Sequence, residues 1–137
     1  MDFFTALNIS STGLSAERVR VNIASSNLAN AETTRTPEGG AYKRLDPVFA
    51  AVAATEAGGA GPQGVQVSQI VADQNPGKRI YSPGHPDADP DGFVQLPNVN
   101  PVHEVVNLLS ASRGYEANSV AVETLKQMAA KAIEILK

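Results

Sequence analysis

The residues best suited to chemistry lie in one short run, residues 83–92, which contains three aspartates and one of the two histidines. The aspartates stand at alternate positions ahead of a glycine, as at the opening of an EF-hand calcium loop: Asp87, Asp89, Asp91 and Gly92. The match then fails, because Asn98 stands where that loop needs a bidentate glutamate and a proline interrupts it. We interpret the run as a structured turn with solvated carboxylates, and expect no metal and no other cofactor.

Catalysis has little else to use. His85 and His103 are the only imidazoles, and neither has a serine or cysteine context that would suggest a nucleophile and its base. We interpret His85 as a polar residue of a turn, and His103 as a polar residue in the first turn of the last helix. We therefore expect no enzyme activity, and a metal-dependent enzyme built on the aspartate run ranks last among the alternatives.

Composition excludes further classes of function. The chain has 137 residues, no cysteine and a formal net charge of −3, so thiol chemistry is absent and the electrostatic basis for binding nucleic acid is missing. No apolar run approaches the roughly 18 residues that span a bilayer, and the first residues do not resemble a secretory signal. We expect a protein without small-molecule substrate.

Prolines and glycines divide the chain into three parts. All nine prolines lie between Pro37 and Pro101, and nine of the eleven glycines lie between Gly39 and Gly92. The division predicts an N-terminal helix of an inner core domain over residues 1–31, a β-rich and loop-containing insert over 32–100, and a C-terminal helix of the core domain over 101–137.

Apolar residues in the first part repeat with a seven-residue period, which predicts an amphipathic helix from about Phe3 to Leu28. The repeat comprises Phe3, Leu7, Leu14, Val21 and Leu28, and a second apolar row beside it comprises Ile9, Ala16 and Ile23. A helix with two apolar rows needs more than one neighbour.

The last part predicts a longer helix. Asn100 and Pro101 have the chemistry of a helix start, and the apolar stripe further on comprises Val122, Leu125, Ala129, Ala132 and Leu136. Because the insert joins the inner ends of the two helices, we expect them to form an antiparallel, coiled-coil-like pair. Two helices alone leave one stripe of each uncovered, so we expect other chains to cover it.

Short extended pieces predict the β-rich insert: Ala41–Leu45, Val48–Val52, Val65–Val71, Arg79–Tyr81 and Phe93–Leu96. A glycine-rich stretch, 53–64, predicts a loop, and Asp73–Gly77 predicts a hairpin turn. The fold class is therefore mainly α with a small β insert.

Two polar patches accompany the helices. Asn27 and Asn30 lie in the run Ser25–Thr33, which either ends the first helix or fixes register between subunits. The other patch, Arg113–Asn118, contains Tyr115 and a glycine inside the predicted last helix, which indicates either close helix contact or a slight kink.

Both patches carry a family resemblance. The run Asn22–Thr33, followed by Tyr42-Lys43-Arg44, resembles the N-terminal signature of bacterial flagellar rod and hook proteins. Ser112–Asn118 resembles the C-terminal signature of that family, and Ser82–Asn100 is similar to its proximal-rod members. Residues 50–77 carry little recognisable pattern.

The resemblance implies a structural subunit of the basal-body proximal rod, within the periplasm, exported by the flagellar type III route without a cleaved signal. Its partners would be copies of itself, other rod proteins and the rod base with its export gate. The terminal helices would pack as the innermost layer, and the expected assembly residues are Leu7, Leu14, Val21, Asn27, Leu28, Asn30, Arg113, Tyr115, Asn118, Val122, Leu125, Ala129, Ala132 and Leu136. In the pairing we expect, the leucine and valine row of the first helix faces the stripe of the last. The alternative is a coiled-coil adaptor without a flagellar role.

Overall fold

Two long helices frame four short strands in the computed structural model, which describes residues 3–53, 61 and 63–135. The elements in chain order are α1 (Phe3–Ala29), β1 (Leu45–Ala53), β2 (Gln63–Ala72), β3 (Arg79–Tyr81), β4 (Phe93–Gln95) and α2 (Pro101–Ile135). With 27 and 35 residues, the helices are about 40 and 52 Å long. The mainly helical fold with a β insert is confirmed. Leu136 and most of the glycine-rich loop lie outside the described residues.

The start of α2 is capped as its sequence predicts. The Oδ1 atom of Asn100 accepts hydrogen bonds from the backbone N–H groups of Val102, at 3.0 Å, and His103, at 3.5 Å. Pro101 occupies the first helical position, where its missing N–H leaves no donor unpaired. This cap fixes the start of the helix next to the end of the insert.

The strands form two separate antiparallel pairs, β1 with β2 and β3 with β4. Leu45 lies opposite Ala72 and Ala53 opposite Gln63, with a bulge between Val48 and Phe49. The two pieces predicted at 41–45 and 48–52 are thus one strand from Leu45, and its proline is tolerated because β1 has a free edge.

The hairpin turn predicted at Asp73–Gly77 is wrong. That segment connects β2 to β3, which belong to different sheets. Within the described residues, the connection between paired strands is instead 82–92, which joins β3 to β4. Turn-forming residues bend the chain at 73–77, but their types do not reveal which strands pair on either side.

Three side-chain contacts fix an antiparallel register between α1 and α2. Asn27 is hydrogen-bonded to Glu104, Glu17 lies against Gly114, and Asn118 lies against Gly13, so each step forward on α1 is an equal step back on α2. The two helices are therefore antiparallel.

This register changes the expected facing between the leucine and valine row of α1 and the apolar stripe of α2. Within the chain, Val21 and Leu28 lie level with the first half of α2, so their expected facing with Ala129 and Ala132 is wrong there. A facing between subunits stays a prediction.

The most buried part of the helix pair is the second apolar row, not the seven-residue repeat. Ala16 and Ile23 of that row are buried, as are the neighbouring Ala24 and, on α2, Ala111. Ile9 of the same row is half-buried, and so are all four residues of the repeat from Leu7 onward: Leu7, Leu14, Val21 and Leu28. The hairpin of β1 and β2 also packs on α1: the backbone N–H of Val65 donates to Oγ1 of Thr12 at 3.2 Å. The hairpin is thus the second neighbour that the second row required.

Candidate functional site: a buried polar junction

Asn27, near the end of α1, is the centre of a polar cluster and has no exposed surface. Its Nδ2 donates to the carbonyl of Leu45 at 2.8 Å and to Oε2 of Glu104 at 3.1 Å. Its Oδ1 accepts from the N–H of Leu45 at 2.9 Å and from the hydroxyl of Tyr42 at 3.0 Å. The amide thus makes four hydrogen bonds, which is its full capacity.

Glu104 brings α2 into the same cluster from its first turn, and its side chain is 1% exposed. Besides the bond from Asn27, its Oε1 accepts from Nε of Arg44 at 2.7 Å. A buried carboxylate is costly unless it is paired and hydrogen-bonded, and both conditions are met here. We call Asn27, Tyr42, Arg44, Leu45 and Glu104 the polar junction.

Arg44 joins the junction to the surface. One guanidinium nitrogen pairs with Glu104, and another pairs with the exposed carboxylate of Asp46. Partial burial lowers the pKa of Arg44, but the hydrogen bonds and charges of Asp46 and Glu104 outweigh it and raise that pKa. The guanidinium is therefore a permanent cation held between two carboxylates.

The arrangement is suited to holding elements together. It links α1 to the start of β1 across 18 positions, and it links α2 to α1 and to Arg44 across 77 and 60 positions. In the described part of the chain, every buried side-chain nitrogen and oxygen has a hydrogen-bond partner. A fully satisfied network of this kind rigidifies and specifies one packing.

A cavity of about 110 Å³ beside the junction is lined by Ile23, Phe49 and Asn107 together with junction residues. Ligand pockets for small molecules are usually some 300–1,000 Å³. This cavity is therefore below the size at which a small-molecule ligand is normally held.

The aspartate run lies elsewhere, in the connection between β3 and β4. Asp87 accepts from the hydroxyl of Thr34 at 2.8 Å, whereas Asp89 pairs with Arg79 at 3.3 Å. Backbone bonds from His85 to Ser82 and from Gly92 to Asp89 close successive turns, which confirms the structured turn. The expected solvation of its carboxylates is wrong for Asp87, which is half-buried. Among residues 3–53, 61 and 63–135, no three acidic or histidine side chains are arranged to hold a metal ion.

The remaining predicted assembly residues are distributed along the helix pair. Asn30 is half-buried and its side chain donates to the carbonyl of Ser26 at 2.9 Å, so it ends α1. Asn118 is half-buried against Gly13, whereas Arg113 and Tyr115 are exposed. Val122, Leu125 and Ala129 are half-buried and Ala132 is exposed. Only Asn27 of the predicted set belongs to the polar junction.

Sequence reasoning missed the two charged junction residues as functional side chains: Arg44 is named only within a family signature, and Glu104 is not singled out. The signal that could have found them is a pair of opposite charges, with Arg44 directly before β1 and Glu104 in the first turn of α2. Neither long helix within the described residues is apolar enough to cross a membrane.

The comparisons with known proteins agree on a class. Residues 7–35 match the family model "Flagella basal body rod protein", and residues 91–135 match "Flagellar basal body rod FlgEFG protein C-terminal". The two matches contain α1 and α2, including Asn27 and Glu104. The two helices and the junction that joins them thus define a flagellar basal-body rod subunit.

Whole-chain relatives narrow this class to one member. The chain is 42% identical to the flagellar basal-body rod protein FlgC of Borreliella burgdorferi, covering 100% of this chain and 99% of the relative. It is 39% identical to FlgC of Bacillus subtilis, with both chains fully covered, and 40% identical to FlgC of Escherichia coli O157:H7, with 98% of each covered. This chain belongs to the FlgC family of flagellar basal-body rod proteins. It is a structural rod subunit that serves motility and assembles with other flagellar rod components.

Proposed function

We propose that this chain is a subunit of the proximal rod, assembled helically with copies of itself, with other rod proteins and with the rod base at the export gate. We further propose that it is located in the periplasm and has no catalytic activity. The family supports the rod assignment, and one surface of α2 supports the assembly through helix faces.

That surface is an exposed apolar row on the side of α2 that points away from α1. It comprises Val102, Val106 and Leu109 and, three turns further along the same face and beyond the exposed Arg113, Val120. Val102 is 69% exposed. We call these four residues the outer row.

Burying the outer row against another apolar surface would stabilise an assembly of subunits. Each buried methylene is worth about 0.8 kcal/mol, so a row of valines and a leucine along a helix gains substantially from contact with another apolar surface. Contiguous exposed apolar surface on a soluble protein is typical of interaction sites. Because the row runs along the helix axis, it suits side-by-side packing of long helices, which is the contact that a rod of stacked subunits needs.

The coiled-coil adaptor without a flagellar role is the alternative. An adaptor would use the same outer row, but it would not be recovered with the basal body. The site's chemistry supports a non-enzymatic role, since the polar junction uses its charged and amide groups on one another and the aspartates of the β3–β4 connection have separate partners.

The experiment that tests the proposal compares Leu109→Asp with Gln69→Asp in a strain lacking the chromosomal copy of this chain. Gln69 is exposed and polar on β2, so its variant controls for the added charge. We expect Leu109→Asp to abolish swimming and to be missing from purified basal bodies on an immunoblot, while Gln69→Asp behaves as the unmodified chain does. Normal incorporation of Leu109→Asp would contradict the role of the outer row.

A second measurement tests place and export. Purified basal bodies stripped of filament by acid are probed for the unmodified chain, and the mass of the recovered protein is determined. We expect the chain to stay with the rod at the mass of the protein as it is synthesised. Recovery only from the cytosol would favour the adaptor, and a shortened mass would contradict uncleaved export.

A further inference from the structure

The two helices carry the same short pattern, in which a glycine is followed four residues later by a longer polar residue. On α1 the pattern is Gly13 and Glu17, and on α2 it is Gly114 and Asn118. In the antiparallel pair each glycine receives the polar side chain of the other helix. A Cβ at Gly13 would lie 3.0 Å from the amide of Asn118, and a Cβ at Gly114 would lie 2.8 Å from Oε1 of Glu17.

The two inserted side chains are also held in place. Nδ2 of Asn118 donates to the carbonyl of Gly114 at 3.0 Å, so the side chain is fixed along its own helix. The carboxylate of Glu17 pairs with Arg20 at 3.3 Å, and Arg20 reaches across to the hydroxyl of Ser110 at 3.4 Å. Each glycine therefore meets a side chain whose position is already set.

Sliding the helices by one turn in either direction removes this fit. A slide in one direction places Glu17 against Asn118, so that two long polar side chains compete for one space. A slide in the other direction places Gly13 against Gly114 and leaves a void between the helices. The atoms that line this void then lose their van der Waals contacts. Apolar rows alone discriminate poorly between such registers, because one valine, leucine or alanine can replace another at small cost.

We infer that this reciprocal pair of contacts, Asn118 on Gly13 and Glu17 on Gly114, is a register lock that determines the axial position of α2 on α1 together with the Asn27–Glu104 hydrogen bond. The half-buried Gly114 of the C-terminal signature thus has a packing role, and Glu17 and Asn118 are positioning residues. With the lock engaged, α2 extends past Phe3, so that its last described residues, around Ile135 with 84% exposure, lie beyond α1. The lock therefore sets how far the apolar end of α2 projects.

Exchanging the two members of one contact tests the lock. Gly13→Asn puts two asparagines in one space, Asn118→Gly leaves a void, and the double variant restores one asparagine and one glycine with the roles reversed. We expect each single variant to lower the thermal unfolding midpoint of the purified full-length chain, with Gly13→Asn the larger effect. We expect the double variant to recover most of the loss.

Ser119→Gly is the matched control, because Ser119 is exposed beside Asn118 and its replacement carries only the helix-propensity cost of glycine. A double variant no more stable than Gly13→Asn alone would overturn the lock. The same holds if Gly13→Asn unfolds at the midpoint of the unmodified chain.

The second contact provides an independent check in case Gly13→Asn fails to fold. Gly114→Glu sets two carboxylates against each other, and adding Glu17→Gly should recover stability by the same reversal. Swimming in soft agar extends the test to the assembled rod, and only this readout rests on the proposed function. If the unmodified chain is not found in purified basal bodies, the proposed function is contradicted. The unfolding measurements would still test the register lock.

Discussion

Nδ2 of Asn27 donates a 3.1 Å hydrogen bond to Oε2 of Glu104, which joins the end of the first helix to the beginning of the last across 77 residues of sequence. Both side chains are almost without exposed surface. The bond closes the structure at the point where both helices meet the insert. Each partner is also saturated by β1 or by the residues just before it, so three elements depend on this one contact.

Replacing Asn27 by alanine should be strongly destabilising. The change leaves the N–H and carbonyl of Leu45 and one oxygen of Glu104 without a partner, and it leaves the hydroxyl of Tyr42 with only its 3.5 Å hydrogen bond to Ser26. Leaving a buried polar group unsatisfied costs about 1–3 kcal/mol, and we expect a total loss of about 3 kcal/mol because water can reach part of the cluster. Urea unfolding followed by circular dichroism measures it. Asn22→Ala, on the exposed side of α1, is the control and should change stability by less than about 0.5 kcal/mol.

Glu104→Gln tests the charge of the junction without changing its shape. Glu104 accepts from both Arg44 and Asn27, whereas a glutamine has only one accepting oxygen and would set an N–H group against a donor. Breaking a buried ion pair costs about 3–5 kcal/mol, so we expect a loss near the lower end, about 3 kcal/mol. The measurement is urea unfolding beside Glu123→Gln, an exposed glutamate of the same helix. Equal stabilities of the two variants would show that the ion pair contributes nothing.

Much of the helical part of this fold could be predicted from the sequence. The absence of proline and the apolar period predicted α1 and α2 to within a residue or two, and the Asn100-Pro101 cap predicted the start of α2. These signals are local, because caps and periods depend on residues within one or two turns.

The polar junction could not be predicted in the same way. Glu104 is an ordinary first-turn acid until Arg44, sixty positions earlier, is placed beside it. The sequence also did not determine which of the two apolar rows of α1 is the more buried. The β1–β2 hairpin decides this by packing on α1, through a contact between Thr12 and Val65 that no local sequence pattern indicates. Pairing between distant segments decided both.

Asp73, between β2 and β3, gives an expected pH dependence. The hydrogen bond from the backbone N–H of Asn75 is the main cause that lowers the pKa of Asp73 below its usual 3.8. Desolvation opposes this shift, and the side chain of Asn98 adds to it. A carboxyl whose pKa is lower in the folded chain stabilises the fold above about pH 4, and this contribution is lost as pH falls through the folded pKa. A carboxyl NMR titration of Asp73 should give a midpoint below 3.8.

Removing one donor tests the cause of that shift. Nδ2 of Asn98 donates to Oδ2 of Asp73 at 2.9 Å, so Asn98→Ala should move the midpoint of Asp73 part of the way back up. The bond from Asn75 remains and keeps the midpoint below the usual value. An unchanged midpoint in Asn98→Ala would mean that this side chain does not act on the Asp73 carboxylate in solution.

Leu125→Asp should abolish incorporation into the rod and swimming. Leu125 is half-buried on the side of α2 that faces α1, level with the first two turns of α1 in the observed register. An aspartate there puts an unpaired charge against apolar surface, which costs several kcal/mol or separates the helix ends. Lys126→Asp is the matched control, since the next residue is exposed and receives the same new side chain. Immunoblots of basal bodies and soft-agar swimming compare the two variants at equal cellular amounts. If Leu125→Asp assembles as well as Lys126→Asp, then this end of the helix pair opens to solvent in the rod and the two helices need not stay together there.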